Sequence, residues 1–209
     1  LAGDIDFAVH SMKDVPAQLP TGLDILCIPP REDARDAFIS RTGCSFQELP
    51  LGATIGTASL RRQAQLLQAR PDLTITMLRG NLDTRLRKLK DGQFDATETI
   101  TEYLPPVLSL PAIGQGALGI EGRADDEFVR SILLRLNHQE TQTTVTAERA
   151  FLQRLEGGCQ VPIAAHATLS GERLVLEGLV ASIDGKTIIR DQIAGTGQQA
   201  HPLGVQLAE

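Results

Sequence analysis

Residues 54–90, TIGTASLRRQAQLLQARPDLTITMLRGNLDTRLRKLK, show the same local pattern twice, a short apolar strand followed by an amphipathic helix. Apolar side chains at spacings of three and four predict helices over residues 60–69 and 82–90. The runs that precede them, residues 54–56 and 73–78, predict strands. Two strand-to-helix units in succession are typical of a parallel sheet with right-handed crossovers. The stretch therefore predicts an α/β fold.

Positive charge is concentrated in this stretch, although the chain as a whole is acidic. Residues 54–90 hold eight basic and two acidic residues, a local charge of +6, while the net charge of the whole chain is −6. Aromatic residues make up only 3%. This disfavours nucleic acid, whose binding surfaces are usually broadly basic and carry aromatic side chains for stacking. The cluster indicates a small polyanionic ligand, although two solvated basic helix surfaces would leave the same pattern.

Two of these cations occupy an unusual position. Arg61 and Arg62 fall in the first turn of the predicted helix, where the helix dipole favours negative charge. Ser59 is the predicted N-cap. Backbone N–H groups, the hydroxyls of Thr57 and Ser59 and both guanidiniums would converge on one small volume, which suits a bound carboxylate or phosphate. Arg79 and Arg85, which belong to the second unit, can reach the same crevice.

Composition limits the class of protein. The chain has 209 residues, 42% of them apolar, which is ordinary for a soluble globular protein of one to three domains. No stretch approaches the ~18 consecutive apolar residues of a membrane span. Residues 1–9 show neither an initiator Met nor a signal peptide, so we expect the chain to begin within a domain. Cys27, Cys44 and Cys159 form no CxxC pair, which predicts neither a disulfide framework nor a metal site and favours a reducing cytoplasm.

A candidate acid or base follows the first predicted strand. Residues 5–9, IDFAV, are apolar except for Asp6 and predict a buried strand. Residues 10–14, HSMKD, lie at its carboxyl end, where α/β sheets bind ligands. Asp14 precedes Val15-Pro16, which favours an extended, stiff loop. Its carboxylate could act as a general acid or base, or as a fixed charge beside a cationic intermediate. The alternative is an aspartate that only caps the loop.

The remaining segments suggest how the chain is divided. The proline-rich connector at residues 29–33 predicts a hinge between domains, and residues 43–49 one helical turn. Residues 97–103 show no core-forming pattern. Residues 117–120 predict a strand that rejoins the first domain. The later elements are a helix capped by Asp125 and Asp126 with Phe128, Ile132 and Leu136 on one face, a helix over residues 141–155, and strands at 163–169, 174–181 and 187–193.

A cysteine follows the helix at residues 141–155. The sequence LEGGCQVPI, residues 155–163, stops that helix with two glycines. Glycine permits a sharp turn, so the thiol of Cys159 would project from a tight loop ahead of a strand. This favours a covalent attachment point or a nucleophile. A buried structural cysteine remains the alternative.

Four stretches together resemble the porphobilinogen deaminase (hydroxymethylbilane synthase) family. They occur in the family's order and span nearly the whole chain: HSMKDVP at 10–16, GTASLRRQ at 56–63, LPAIGQGA at 110–117 and LEGGCQVPI at 155–163.

The resemblance implies two type II periplasmic-binding-protein-like domains and a small C-terminal α+β domain. The first domain would comprise residues 1–29 and 117–136, and would lack its N-terminal portion. The second, at 30–116, would bind carboxylates, and the third, at 138–209, would carry the cofactor attachment. Compared with the family, the chain also lacks an apolar strand and a helix near residues 97–103.

The resemblance further implies a transferase of heme and chlorophyll biosynthesis. The enzyme would join four porphobilinogen molecules into the linear tetrapyrrole hydroxymethylbilane, releasing ammonia. It would act as a monomer, without nucleic acid, membrane or metal, on a dipyrromethane cofactor bound to Cys159 through a thioether. Asp14 matches the catalytic aspartate. The positions that match cofactor- and substrate-binding residues, or that would support them, are Ser11, Lys13, Thr57, Ser59, Arg61, Arg62, Arg79, Arg85 and Gln115.

The alternative function is a non-enzymatic, two-lobed protein that closes on a small anion. A hinge, a double crossing and anion sites at helix termini would look the same in both cases. Only the enzyme needs a modified thiol, so the state of Cys159 distinguishes the two.

Overall fold

The computed structural model describes residues 4–155 and 161–209, apart from the side chains of residues 82 and 96–100. The described residues form three β-sheets and five α-helices. The strands are β1 (Phe7–Ser11), β2 (Leu23–Cys27), β3 (Asp36–Ser40), β4 (Thr54–Gly56), β5 (Thr74–Thr76), β6 (Ala96–Leu104), β7 (Leu118–Arg123), β8 (Ile163–Ser170), β9 (Arg173–Ala181) and β10 (Ile188–Thr196). The helices are α1 (Leu60–Ala69), α2 (Leu82–Lys90), α3 (Glu127–Leu133), α4 (Gln139–Arg154) and α5 (Ala200–Ala208).

The double strand-to-helix pattern forms as predicted. Helices α1 and α2 have the predicted bounds, and β4 and β5 pair in parallel. Both belong to a four-stranded sheet with the order β3-β6-β4-β5. Leu66 of α1 shares a buried core with Ile55 of β4 and Phe38 of β3, so the apolar stripe of the helix covers the sheet. The prediction of a helical turn at residues 43–49 is wrong, because these residues form turns that bury Phe46 and Leu49 in the same core.

Residues 97–103, which show no core-forming pattern in the sequence, nevertheless belong to a strand. Strand β6 pairs in parallel with β4 and antiparallel with β3. Its register against β3 passes from Phe38↔Glu102 to Ile39↔Thr97, so the pairing skips four residues of β6. Backbone hydrogen bonding to two neighbours holds this polar strand in the sheet, which an apolar pattern alone does not predict.

The first sheet leaves apolar side chains in solvent. It is antiparallel with the order β1-β7-β2, and the predicted burial of residues 5–9 is wrong. Phe7 and Val9, alternate residues on one face of β1, are 47% and 56% exposed, so that face is open to solvent. Helix α3 begins at the predicted cap, where Asp126 accepts from the N–H of Val129. It packs through Val129 and Leu133, and the predicted stripe is exposed: Phe128, Ile132 and Leu136.

The third sheet is an antiparallel meander with the order β10-β9-β8, as the C-terminal strand pattern predicts. Helices α4 and α5 cover one face and share its buried core. Helix α5 was not predicted from the sequence. Gly204 lets the two helices approach closely, since a Cβ at this position would collide with the backbone of Ala147.

The connector predicted as a hinge is fixed to α4 by a buried ion pair. Arg31 donates from Nη1 and Nη2 to the carboxylate of Glu148, at 2.6 and 3.2 Å. Glu148 is 0% exposed and also accepts from the N–H groups of Gly114, at 2.7 Å, and Ala167, at 2.9 Å. One carboxylate therefore binds both chain crossings between the first two sheets and a strand of the third.

None of the helices in residues 4–155 and 161–209 is both long enough and apolar enough to cross a membrane.

Glu148→Gln should destabilise the fold strongly, because Arg31 would keep a buried charge with no carboxylate partner. Removing one member of a buried ion pair typically costs about 3–5 kcal/mol. We expect the free energy of unfolding, measured by urea denaturation, to fall by about this amount. Glu140→Gln, an exposed position in the first turn of the same helix, is the control and should cost less than about 1 kcal/mol. Equal losses in both variants would contradict the assigned role of Glu148.

Candidate active site

A cleft of about 520 Å³ lies where the three sheets meet, and we call it the central cleft. Its polar lining comes from the segment after β1 and the start of α1, and includes Lys13, Asp14, Ser59 and Arg61. Its apolar lining comes from the second crossing, from α4 and from the start of β8, and includes Ile113, Leu152, Val161 and Ile163. The cleft thus combines charged groups with an apolar wall, which is the usual character of a small-molecule site.

Asp14 and Lys13 face the cleft because the residues on either side of them are buried. A single turn of 3₁₀ helix follows β1, and Met12 in it is 1% exposed. The N–H of Met12 donates to the carbonyl oxygen of Ala117, and the N–H of Val15 donates back to that of Met12. With Met12 and Val15 held in the core, the two charged residues between them are directed outward. Ser11, at the end of β1, is half-buried and does not line the cleft.

The loop before α1 is held by its own hydroxyl groups. Thr57 is buried, and its Oγ1 accepts from the N–H of Ser59 at 3.1 Å. Ser59 is the N-cap of α1, as predicted, with Oγ accepting from the N–H of Arg62 at 3.4 Å. Thr57 therefore shapes the loop, while Ser59 both caps the helix and faces the cleft.

The two cations in the first turn of α1 share an internal carboxylate, that of Asp36. Arg61 binds it through both terminal nitrogens, from Nη1 to Oδ2 at 2.8 Å and from Nη2 to Oδ1 at 2.9 Å. Arg62 donates to Oδ1 from Nε at 2.9 Å. Asp36 and Arg61 are buried, whereas the Arg62 side chain is 18% exposed. The anion that the helix dipole favours at this terminus is thus present within the chain.

Two further side chains complete the surroundings of Asp36. Ser109 donates from Oγ to Oδ2 at 2.6 Å, and Gln115 donates from Nε2 to Oδ1 at 2.9 Å and to the carbonyl oxygen of Ala34 at 2.6 Å. Burial raises the pKa of the Asp36 carboxyl, but the charges and hydrogen bonds of Arg61 and Arg62 outweigh burial, so that this pKa lies well below its ordinary value. Asp36 is therefore ionised throughout the physiological range.

Arg79 and Arg85 lie at the second strand-to-helix turn and do not line the central cleft. Arg79 is exposed, with Nε 3.1 Å from the sulfur of Met77, and Arg85 donates from Nε to the carbonyl oxygen of Gly80 at 2.8 Å. Because β4 and β5 are parallel, their carboxyl ends lie at one edge of the sheet. The N–H of Thr57 accordingly donates to the carbonyl oxygen of Thr76. The structure thus brings the two turns together at that edge.

Cys159 and the preceding glycines lie outside the described residues. On one side of them Leu152 lines the central cleft, and on the other Val161 and Ile163 do. In the described part of the chain, no three His, Cys, Asp or Glu side chains are grouped as a metal site.

The roles of Asp36 and Glu148 were not predicted from the sequence. A usable signal existed for Glu148, because it lies three residues from both Val145 and Phe151 and thus on the buried stripe of α4. A charged residue on an apolar stripe indicates a buried partner. Asp36 carries no comparable local signal, since Arg61 follows it by 25 positions.

Asp36→Asn should lower the free energy of unfolding at neutral pH by about 3–5 kcal/mol, because two guanidiniums would lose their carboxylate. The folded-state pKa of Asp36 lies below the unfolded value of about 3.9. Its stabilisation is therefore complete above about pH 5 and is lost as the pH falls toward the folded value. Urea denaturation from pH 7 to 3 should show the gap between wild type and variant narrowing below about pH 4. A difference in the free energy of unfolding that stays constant over this pH range would contradict the assignment to the ionised Asp36 carboxylate. Asp191→Asn, at an exposed position, is the control.

Two family models match this chain over most of its length. The model described as porphobilinogen deaminase, dipyromethane cofactor binding domain, matches residues 1–131, and the one described as porphobilinogen deaminase, C-terminal domain, matches residues 142–209. Asp14 and the first-turn cations of α1 fall in the first match, and Cys159 falls in the second.

Curated relatives indicate the same family as the two family models. The porphobilinogen deaminases of Geobacter sulfurreducens and Geobacter metallireducens are each 54% identical over 222 positions, which cover 100% of this chain and 70% of the relative. That of Bacillus pumilus is 53% identical over 212 positions, which cover 94% of this chain and 68% of the relative. The Geobacter alignments are 13 positions longer than this 209-residue chain, so those relatives have residues for which this chain has no counterpart. The resemblance seen in four motifs thus extends through both matched segments, and the chain belongs to the porphobilinogen deaminase family.

Proposed function

We propose that this chain carries out the reaction for which its relatives are named, as a transferase of tetrapyrrole biosynthesis. It would join four porphobilinogen molecules head to tail into hydroxymethylbilane, with release of ammonia, on a dipyrromethane cofactor. The observation that carries the proposal is the central cleft, which combines Asp14 with cationic groups and with the residues on both sides of Cys159.

The residues of the central cleft fit a dipyrromethane group. Its volume of about 520 Å³ is within the usual range for small-molecule sites. The apolar wall suits pyrrole rings, and Lys13 with Arg61 suits their acetate and propionate side chains. When bound, the cofactor supplies a pyrrole carbon to which the incoming unit is joined.

Asp14 is the proposed catalytic residue. Loss of ammonia leaves positive charge on the substrate pyrrole, and a carboxylate at the cleft surface can stabilise that charge and move a proton to or from the pyrrole nitrogen. Lys13, adjacent in the chain, would attract substrate carboxylates as a flexible point charge. Leu152 and Ile113 would exclude water from one side of the reacting groups, which strengthens the electrostatic contribution of Asp14.

Carboxylate recognition is proposed for the guanidiniums, in two different forms. Arg61 lines the central cleft and would contact a ligand through its edge, although it is held in the buried ion pair. Arg62 does not line the cleft, and its 18% exposed side chain would bind carboxylates beside it. Arg79 and Arg85 would bind carboxylates at the neighbouring turn. The polar groups proposed to support the site are Ser11, Thr57, Ser59 and Gln115.

We also propose the finer fold description, with two periplasmic-binding-protein-like domains and a C-terminal α+β domain at the boundaries given above. The separate sheets support this division, because each sheet is built from strands of one predicted domain. A cytoplasmic location is supported by cysteine content alone, and a monomeric state follows from the family resemblance.

The alternative function is a non-enzymatic anion-binding protein. The names of the relatives described above, each a porphobilinogen deaminase, argue against it. The covalent state of the Cys159 thiol decides between the two functions.

Cys159 is the proposed attachment point of the cofactor, through a thioether. Intact-mass spectrometry of the purified chain should show an added mass equal to two linked pyrroles, because a thioether survives denaturation. Cys159→Ala should lack this mass and should have no turnover, whereas Cys44→Ala should keep both. An unmodified wild-type chain that still binds porphobilinogen would support the anion-binding alternative.

Asp14→Asn should abolish most turnover while leaving the added mass in place, since the variant removes a charge but keeps the shape of the side chain. Proton transfer by a positioned side chain typically contributes about 10²- to 10⁴-fold, so we expect kcat to fall by at least about 100-fold. Asp24→Asn, at a half-exposed surface ion pair, is the control. Near-normal kcat in Asp14→Asn would reject the catalytic assignment.

A further inference from the structure

Arg149 of α4 contacts the loop that carries Asp14. Arg149 donates from Nη1 to the carbonyl oxygen of Val15 at 3.3 Å, and from Nη2 to those of Pro16 at 2.8 Å and Ala17 at 3.4 Å. These are the three residues that directly follow Asp14. The guanidinium therefore holds three consecutive carbonyl groups at the exit of the catalytic loop.

Within the described residues, Arg149 has no carboxylate partner and these carbonyl groups are the acceptors of its hydrogen bonds. It is partly buried, and this burial lowers the pKa of its guanidinium. A buried guanidinium without a counterion is costly unless its donors are satisfied. Its planar fork of N–H groups suits several fixed acceptors at once. The arrangement is therefore specific to this loop.

The loop has few other means of being fixed. Pro16 has no N–H to donate, and residues 15–20 belong to no strand or helix. Val15 packs in a buried cluster with Met12 and with Val145 of α4. Val145 and Arg149 are four positions apart and so lie on the same face of the helix. One face of α4 thus binds the loop by an apolar contact and, one turn later, by charged hydrogen bonds.

The same helix continues into the wall of the central cleft. Leu152, three positions after Arg149, lines the cleft, and α4 ends at Arg154, five positions before Cys159. Any shift of the loop relative to α4 would therefore change the distance between Asp14 and the side of the cleft from which the proposed attachment segment starts.

We propose that Arg149 is a positioning residue, which fixes the Asp14 loop against α4 and so sets the position of the catalytic carboxylate. The inference rests on the proposed function of Asp14. It predicts that loss of Arg149 impairs turnover more than substrate binding, because a misplaced catalytic group lowers kcat while the carboxylate-binding residues stay in place.

The test compares Arg149→Ala and Arg149→Lys with Arg154→Ala in the full chain. Arg154 is on the same helix but forms an exposed ion pair with Glu209, which makes it a matched control. We expect Arg149→Ala to lower kcat by roughly 10- to 100-fold, with KM changed by less than about threefold and the added cofactor mass retained. Lysine keeps the charge and some donors, so Arg149→Lys should recover part of kcat. Arg154→Ala should resemble wild type.

Hydrogen–deuterium exchange of residues 12–19 provides a readout that does not depend on activity. Exchange there should be faster in Arg149→Ala than in wild type and Arg154→Ala, and intermediate in Arg149→Lys. Unchanged exchange and unchanged kcat in Arg149→Ala would overturn the inference. So would a general loss of the fold and of the cofactor in both Arg149 variants, since that result indicates a structural residue only. If the wild type shows no turnover, the proposed function fails, and exchange alone decides whether Arg149 fixes the loop.

Discussion

The buried carboxylate of Glu148 is the interaction on which the arrangement of the three sheets depends. It accepts hydrogen bonds from Arg31 in the first chain crossing, from Gly114 in the second and from Ala167 in the third sheet. A carboxylate removed from water is unfavourable unless its lone pairs are satisfied, so the three segments must meet at this point together. Glu148 therefore converts two flexible connections into one fixed junction, and the central cleft lies beside it.

Helix α4 extends this junction to the loop that carries Asp14. Val145 and Arg149 dock the loop that follows β1, Glu148 binds the crossings, and Leu152 forms part of the cleft wall. A rigid helix keeps such contacts at fixed separations, about 1.5 Å of rise for each residue. The distance between the Asp14 carboxylate and the wall of the cleft is thus a property of one helix, which is more precise than a distance set by loops alone.

Charge in the cleft is balanced in a similar way. The cations at the start of α1 would repel each other and the helix dipole if they stood alone, and Asp36 neutralises part of that charge from within the core. The Arg62 side chain is 18% exposed, while that of Arg61 is 6% exposed and lines the central cleft. A fixed internal counterion thus keeps both guanidinium planes oriented in the absence of any ligand.

The sequence by itself determined the local elements and the candidate residues. Helices α1 and α2 form with the predicted bounds, and Ser59 caps α1, because helix periodicity and capping are set by residues within a few positions of one another. Motif similarity likewise identified the family, which the comparisons confirm.

Only the tertiary structure decided which faces are buried. In α3 the stripes of Phe128 and Val129 both have helical spacing, and the second is buried because that side meets the sheet. The pairing of Asp36 with Arg61 and of Arg31 with Glu148 also lay beyond the sequence. These partners are 25 and 117 positions apart, and no local pattern records which distant charge shares a buried site.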